Sequence, residues 1–460
     1  MNASRYQRNQ HVDLDALQKA VLDYVHERVV LSPPLDGPLS EEELRSIVGR
    51  TITTQGVGPV EAMRVFAEDL APACLSADHP RYLSFIPCAP SDAAVMFDLV
   101  VGASTIYAGS WLEGAGAVYA ENEALRWIAD LVGLPESAGG VFVPGGTIGN
   151  LSALVAARHT ARENAPAGVR PNKVAATFGA HSSIKSACEV MDADFVGVAT
   201  DEHGRMSGEA LRAVLAESPG EFFCVVATSG TTNFGIVDNL AVVAQVCREF
   251  GVWFHVDGAY GGAGLAAPSV RHLYAGIEEC DSFIVDPHKW LFAPYDCCAL
   301  LYRRPELARA AHTQRAGYLD VLTDAPEWNP ADYSVGLSRR ARGLPLWFSL
   351  VVNGTDAYTA ALEQTLEVAA YAEAEVARRP EFELVRGRDL TVIVFRRLGW
   401  AAADYHAWSD KVMEEEFAFV VPTTHDGETL ARFAIVNPMT TLEDITGILD
   451  SMAAFAPAHA

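Results

Sequence analysis

The sequence predicts an α/β fold: a mainly parallel central sheet covered by helices, followed by a smaller α+β domain at the C-terminal end. Two observations carry this prediction. Between about residues 116 and 302, short runs rich in Val, Phe and Ala alternate with helical stretches. The runs are apolar throughout, which is typical of strands buried on both faces of a parallel sheet. Ligands of such sheets bind at the carboxyl ends of the strands, so the residues after each strand are the candidates for a site.

Each element of this sheet has a local sequence signal. The predicted strands are Val174–Phe178, Phe195–Ala199, Phe222–Thr228, Val252–Val256, Ser282–Val285 and Cys298–Tyr302. The predicted helices between them are His181–Met191, Ser207–Glu217 and Leu240–Phe250. An earlier helix containing Val118 and Val132 should end at Gly133, because glycine readily takes the left-handed conformation that follows a helix.

The regions on either side of the sheet differ from it. Near the N-terminus, Asp13 can cap an amphipathic helix, Ser40 and Glu43 form a capping box, and a third helix should run from about Val60 to Leu70. The predicted elements of the last hundred residues are Thr355–Ala377, Phe382–Val385, Leu390–Phe395, Leu430–Val436 and a helix from Thr441. We therefore expect an N-terminal helical arm (residues 1–80), a large domain (81–345) and a small C-terminal domain (346–460).

Composition and charge exclude several classes of function. The 460 residues carry 34 basic against 59 acidic side chains, which gives a formal net charge of −25. Nucleic acids and anionic membranes attract positively charged surfaces, so neither is expected as a partner. There is no run of eighteen apolar residues that would predict a membrane span, and the polar N-terminal segment lacks the apolar core of a signal peptide.

The eight cysteines are scattered along the chain without a C-x-x-C pair or a metal-like spacing with histidine. Free thiols buried as small apolar side chains are the favoured interpretation. Such thiols persist in a reducing compartment, so we expect a cytoplasmic protein without a metal site.

A glycine turn follows the predicted strand at Val141–Val143. The sequence Pro144-Gly145-Gly146-Thr147 leads into a helix expected to open near Asn150 and Leu151. Glycines let backbone N–H groups approach an anion, and a helix N-terminus favours negative charge. The turn is a candidate phosphate cradle, although on its own an ordinary strand-to-helix turn fits equally well. It lacks the glycine spacing of a dinucleotide fingerprint.

Two further strand ends carry polar side chains. His181 begins a helix after one strand, and Thr228-Ser229-Gly230-Thr231-Thr232 follows another. In isolation, His181 is better explained as a helix cap or surface residue, and the hydroxyl-rich segment fits a polar turn as well as a set of donors.

A carboxylate and a lysine complete the set. Asp257 ends the apolar strand before Gly258, and a carboxylate there is costly unless it has a cation or a donor as partner. Lys289 lies between two apolar runs, and only five of the 34 basic residues are lysines. Removal from bulk water should lower the pKa of this amine and favour its neutral, nucleophilic form. A surface lysine beside a turn is the alternative.

Together these residues describe a pyridoxal 5'-phosphate (PLP) site. The aldehyde of this cofactor needs an amine, its pyridinium nitrogen needs a carboxylate, and its phosphate needs a nest of donors.

Four segments extend this interpretation to a family. Gly145-Gly146-Thr147, His181-Ser182-Ser183, His255-Val256-Asp257-Gly258-Ala259-Tyr260 and Asp286-Pro287-His288-Lys289-Trp290 resemble the group II PLP-dependent amino-acid decarboxylases. That family includes the aromatic-L-amino-acid, glutamate and diaminobutyrate decarboxylases. The resemblance runs in family order from about His79 to Pro438 and covers most of the chain.

The resemblance implies a fold type I (aspartate-aminotransferase-like) enzyme that works as a homodimer with its active sites at the subunit interface. Lys289 would hold the cofactor as a Schiff base, Asp257 would pair with the ring nitrogen, and His181 and Ala259 would contact the two ring faces. Further residues implied around the cofactor are Gly146, Thr147, Thr232 and His288. The residue implied for the substrate pocket is Cys88. Separately, Tyr107 is a candidate to line the partner subunit's pocket and favour an aromatic substrate, and a core residue is an equal alternative.

One departure from the family concerns the reaction's outcome. Decarboxylases of this family carry a tyrosine in a mobile loop that helps to protonate the α-carbon, whereas the corresponding stretch here, about Leu319 to Asp332, contains Trp328 and no tyrosine. Tyr318 and Tyr333 flank it and are candidates to substitute. The expected reaction is decarboxylation of an L-amino acid to an amine and carbon dioxide. Oxidative deamination to an aldehyde and another PLP-dependent lyase or transaminase reaction stay open, as does the identity of the substrate.

Overall fold

A seven-stranded sheet forms the centre of the computed structural model, which describes residues 13–30, 32–315 and 327–456. Its strands are β1 (Gly139–Val143), β2 (Lys173–Thr177), β3 (Asp194–Val198), β4 (Phe222–Thr228), β5 (Trp253–Asp257), β6 (Ser282–Val285) and β7 (Cys298–Tyr302). They lie in the order β1-β7-β6-β5-β4-β2-β3. Neighbours from β6 to β3 pair in parallel, and β7 is antiparallel to both of its neighbours, so the sheet is mainly parallel as predicted.

Helices cover both faces of this sheet. In chain order they are α1 (Leu14–Val30), α2 (Glu41–Val48), α3 (Pro59–Arg64), α4 (Asp92–Ser104), α5 (Trp111–Val132), α6 (Gly146–Glu163), α7 (Ser182–Met191), α8 (Gly208–Glu217), α9 (Leu240–Phe250), α10 (Pro305–His312), α11 (Leu344–Asn353), α12 (Thr355–Arg378), α13 (Ala402–Glu414) and α14 (Leu442–Ala454). Within β4, Val225 and Ala227 pack into one apolar core and Val226 into the other. The strand is therefore apolar throughout because both of its faces are buried.

The C-terminal region forms a second, smaller α+β unit. Its antiparallel sheet has the order β10-β11-β9-β8, made of β8 (Phe382–Leu384), β9 (Val392–Arg397), β10 (Thr423–His425) and β11 (Glu428–Ala434). Trp408 and Phe433 lie in its core together with Leu83, whose backbone N–H donates to the carbonyl of Phe419. The segment around Leu83 thus packs with the small unit.

Helix boundaries follow local chemistry at both ends of the chain. Ser40 and Glu43 form the predicted capping box of α2, and Gly133 ends α5 in the left-handed conformation. The third arm helix differs from the prediction, because its α-helical part ends at Arg64 and continues as a π-helical turn, Val65–Leu70. None of the helices in the described ranges is long and apolar enough to cross a membrane.

Candidate active site

The carboxyl ends of β1, β2, β4, β5 and β6 meet around a cavity of about 320 Å³. Eight of the predicted residues line it: Gly146, Thr147, His181, Thr232, Asp257, Ala259, His288 and Lys289. Strands β2, β4, β5 and β6 are neighbours in the sheet, and β1 is separated from β6 by β7 alone, although the residues lie up to 143 positions apart in the chain, counted from Gly146 to Lys289. The parallel topology therefore brings the separate motifs to one place.

Lys289 lies against a buried carboxylate that the sequence interpretation passed over. Its Nζ is 3.0 Å from Oδ2 of Asp286, whose side chain is 2 % exposed. Burial by itself would lower the pKa of Lys289, but the charge and hydrogen bond of Asp286, with a contribution from Asp257, raise that pKa above its usual value. The expected lowering of the Lys289 pKa was therefore wrong for the cofactor-free protein. The residue responsible, Asp286, stands three positions before the lysine in the same motif.

Asp257 is held by two N–H donors at the end of β5. Its Oδ1 accepts from the backbone N–H of Ala259 at 3.1 Å, and its Oδ2 accepts from the side-chain amide of Asn150 at 2.9 Å. The side chain is buried, and it can face a cationic ring nitrogen in the cavity.

His181 caps α7 at the mouth of the cavity. Its Nδ1 accepts from the backbone N–H of Ser183 at 3.2 Å and lies 2.8 Å from the hydroxyl of the same serine. The imidazole also borders a larger cleft of about 1280 Å³ between the large and small units. The histidine is thus a cap, as the simpler interpretation held, and a wall of the site as well.

The glycine turn gives the cavity an anion-binding end. The helix α6 starts at Gly146, four residues before the predicted opening, and its first i to i−4 bond is donated by Gly149 to Gly145. The amides of the first turn therefore have no partner within the helix. A Cβ atom on Gly146 would stand 3.0 Å from Oδ2 of Asp286 and 3.3 Å from Cβ of Ala259, so only glycine leaves this end open.

Residues 62–398 match the family model described as the pyridoxal-dependent decarboxylase conserved domain. That match covers well over half of the chain. This protein belongs to the pyridoxal-dependent decarboxylase family.

Relatives over nearly the whole length agree with this assignment. An aromatic-L-amino-acid decarboxylase of Bacillus atrophaeus is 29% identical, over 94% of this chain and 92% of the relative. A phenylacetaldehyde synthase of Petunia hybrida is 26% identical, over 96% of this chain and 92% of the relative. The crystal structure of Oryza sativa TDC with PLP and tryptamine superposes with a TM-score of 0.88 at 24% identity, covering 98% of this chain and 99% of that one. The protein is a PLP-dependent amino-acid decarboxylase with the fold of type I enzymes.

The cavity of this decarboxylase fits its cofactor. A primary amine at Lys289, a carboxylate at Asp257 and the open glycine turn border one space, and these are the three kinds of group that PLP needs. His288 is held beside this space, because its Nδ1 accepts from the backbone N–H of Cys297 at 3.0 Å and its ring packs on Tyr295. Burial lowers the pKa of His288.

The two predicted substrate residues of the decarboxylase do not line this cavity. Cys88 is buried, and its thiol donates to the carbonyl of Ala293 at 3.0 Å. Tyr107 lines a separate surface concavity, where its hydroxyl donates to the carbonyl of Leu337 at 2.9 Å. The roles of Cys88 and Tyr107 in substrate binding therefore remain predictions.

The structure describes only part of the loop beside which the sequence predicts the residue that protonates the α-carbon. Tyr318 and most of the stretch from 319 to 332 lie outside the described residues. Tyr333 is buried, with its ring stacked on Trp328 at 4.0 Å between centroids. Within the described chain Tyr333 is therefore a packing residue, and its hydroxyl does not border the cavity.

Proposed function

We propose that this decarboxylase converts an L-amino acid to the corresponding amine and carbon dioxide, with Lys289, Asp257 and His181 as its catalytic residues. One observation carries the proposal: these three side chains come from separate strand ends and border the same cavity. Nothing in the packing of the large domain calls for a lysine, a carboxylate and a histidine to converge there.

When bound, PLP supplies an electron sink for the negative charge that develops as the substrate carboxylate leaves. Lys289 supplies the amine to which the cofactor attaches. Asp257 is held by two N–H donors, and its carboxylate would face the ring nitrogen of the cofactor. His181 forms the wall between this space and the larger cleft, through which we propose that the substrate enters.

The test is a product assay with a panel of L-amino acids. Purified protein with PLP should release carbon dioxide and the matching amine in equal amounts, and Lys289→Ala should abolish both. Lys185→Ala is the matched control, since this lysine is exposed on α7 and does not border the cavity. Keto acid formed without carbon dioxide would contradict the proposal.

An aldehyde product is the second candidate, favoured by the burial of Tyr333 away from the cavity. If the chain lacks a proton donor for the α-carbon, oxidative deamination follows loss of the carboxylate. The same assay separates the two products: aldehyde with ammonia, consumption of oxygen and no amine would establish this reaction. A substitution Tyr318→Phe that converts amine formation to aldehyde formation would identify Tyr318 as the proton donor.

We propose that the protein works as a homodimer whose N-terminal arm covers the partner. In the described part of the arm, none of the residues of α1, α2 and α3 is buried, and apolar side chains such as Leu22, Ile47 and Phe66 are exposed. Apolar surface of this kind marks an interaction site. Sedimentation should give a species of twice the mass of one chain; a monomer with full activity would contradict the proposal.

The remaining proposals concern the location of the protein in the cell, its division into domains and its substrate pocket. We propose a cytoplasmic location, supported by eight free cysteines in the described chain, seven of them buried. The division into an arm (1–80), a large domain (81–345) and a small domain (346–460) also stays a proposal, as does the contribution of Cys88 and Tyr107 to the substrate pocket. Cell fractionation and limited proteolysis test the first two.

A further inference from the structure

We propose that Asn150 is a positioning residue that holds the carboxylate of Asp257 in place and, through Ser183, sets the tautomer of His181. This inference rests on the proposed function, because it concerns the same two catalytic side chains and asks what lies behind them.

A chain of buried hydrogen bonds reaches Asn150 from inside the sheet. The indole N–H of Trp253 donates to Oγ of Ser282 at 2.8 Å, and that oxygen lies 2.8 Å from Nδ1 of His255. Nε2 of His255 lies 2.9 Å from Oδ1 of Asn150. These four side chains are at most 6 % exposed, so water does not compete for their bonds.

Beyond Asn150 the chain divides toward the active site. Its Nδ2 donates to Oδ2 of Asp257 at 2.9 Å and to Oγ of Ser183 at 2.9 Å. Ser183 in turn contacts Nδ1 of His181 through both its hydroxyl and its backbone N–H. One amide thus connects the interior of the sheet with both catalytic side chains.

The two ends of the chain determine its direction. An indole N–H can only donate and a carboxylate can only accept, so Nδ2 of Asn150 donates to Asp257 and Oδ1 of Asn150 accepts from Nε2–H of His255, which leaves Nδ1 of a neutral His255 as an acceptor. The hydroxyl of Ser282 then donates to Nδ1 of His255, and Nε2–H of His255 donates to the oxygen of Asn150. A reversed amide would place an oxygen 2.9 Å from the carboxylate oxygen, where the two acceptors would repel each other. Burial lowers the pKa of His255 to about 4, which keeps this imidazole neutral as the chain requires.

Two consequences follow at the site. Asp257 receives a side-chain donor in addition to the backbone N–H of Ala259, and together the two bonds fix the orientation of its carboxylate. His181 accepts on Nδ1 from the N–H and the hydroxyl of Ser183, so its proton stands on Nε2. Asn150 therefore orients the carboxylate of Asp257 and, through Ser183, the imidazole of His181 before any substrate binds.

Two substitutions of Asn150 test this. Asn150→Leu has a similar size and removes every bond of the amide, and Asn164→Leu, at the other end of α6, is the matched control. We expect Asn150→Leu to lower kcat about tenfold to hundredfold, as for loss of a hydrogen bond to a charged group, with a smaller change in KM. The control should keep the wild-type kcat.

Asn150→Asp gives a readout that a purely structural role would not move. A protonated aspartic acid at this position still donates to Asp257, but its ionised form places a second negative charge there. The ionisable groups that line the cavity are His181, Asp257, Tyr260, Asp286, His288, Lys289, Tyr295 and Asp296, and His255 lies behind Asn150. The ratio of the Asn150→Asp to the wild-type kcat should therefore fall at least about tenfold as pH rises from about 5 to 8.

The tautomer is measured without turnover. Nitrogen NMR of ¹⁵N-histidine-labelled cofactor-free protein, with His181→Gln to assign the signal, should show His181 protonated on Nε2 in wild type and a mixture of tautomers in Asn150→Asp at high pH. If Asn150→Leu fails to fold, the pH dependence of kcat and the His181 tautomer, both measured on Asn150→Asp, test the proposal. The proposal would be overturned if kcat of wild type and of Asn150→Asp changed with pH in parallel and the nitrogen signal of His181 were the same in both proteins. Failure of the proposed function looks different, because wild-type protein itself would then release no carbon dioxide.

Discussion

Asp286 should restrain cofactor capture by holding Lys289 as an ammonium ion. The two charges are 3.0 Å apart, and the carboxylate is 2 % exposed while the lysine side chain is 22 % exposed. At an effective dielectric constant of about 20, this separation corresponds to an attraction of about 5.5 kcal/mol. If only a quarter of that energy, ~1.4 kcal/mol, opposes loss of the proton, Asp286→Asn raises the neutral amine fraction about tenfold.

We therefore expect Asp286→Asn to capture PLP at least about tenfold faster than wild type near pH 7, with the difference shrinking as pH rises toward the raised pKa of Lys289. Stopped-flow absorbance on mixing cofactor-free protein with PLP measures the rate. Asp296→Asn is the matched control, because Asp296 borders the same cavity but pairs with Arg342. Pyridoxal without phosphate should show the same gain, which separates the lysine effect from relief of repulsion between Asp286 and the phosphate. Equal rates for wild type and Asp286→Asn at every pH would refute the reasoning.

Three further predictions concern stability and the cradle. Burial lowers the pKa of His255 and of His312 to about 4 from 6.5. Each histidine should therefore contribute up to about 3 kcal/mol of stability, which is complete above about pH 6.5 and is lost as pH falls through 4. Thermal unfolding measured against pH should show a shallower loss of stability in His312→Asn than in wild type, and an unchanged slope would contradict this. Glu121→Gln should lower the free energy of unfolding by about 3–5 kcal/mol, because it leaves Arg339 buried without its charge partner. The control Lys411→Met breaks the exposed ion pair with Glu415 and should lower it by less than about 1 kcal/mol. Gly146→Ala should weaken PLP binding several-fold at unchanged stability, because the added Cβ atom would stand 3.0 Å from Oδ2 of Asp286. The control is Gly116→Ala, whose Cβ atom would meet no other atom within 4 Å and which should leave the affinity for PLP unaltered.

The large domain could be predicted from the sequence because its strands are apolar on both faces. Runs such as Phe222–Thr228 gave bounds that the structure confirms, and the convergence of Asp257 with Lys289 followed from parallel topology. Helix α6 was expected to open near Asn150, yet it starts at Gly146. The first turn of a helix makes few internal bonds, so glycine is tolerated there.

Charge partners were harder to predict than positions. The apolar neighbours of Lys289 pointed to a lowered pKa, whereas the decisive partner, Asp286, raises it from three residues away. Asn150 was noticed only as the opening of a helix. Its spacing of one turn from Thr147 could have indicated a side chain on the same face, but its bonds to His255 and Asp257 depend on how α6 packs on β5. Sequence periodicity does not carry that information.

The central claim is that Lys289 is the residue to which the cofactor attaches. Reduction of the PLP-loaded protein with borohydride, followed by peptide mass spectrometry, tests it most directly, because the chain has only five lysines: Lys19, Lys173, Lys185, Lys289 and Lys411. We predict one cofactor per chain, on the peptide that contains Lys289. Label on any of the other four lysines, or no label on a protein that still releases carbon dioxide, would contradict the account.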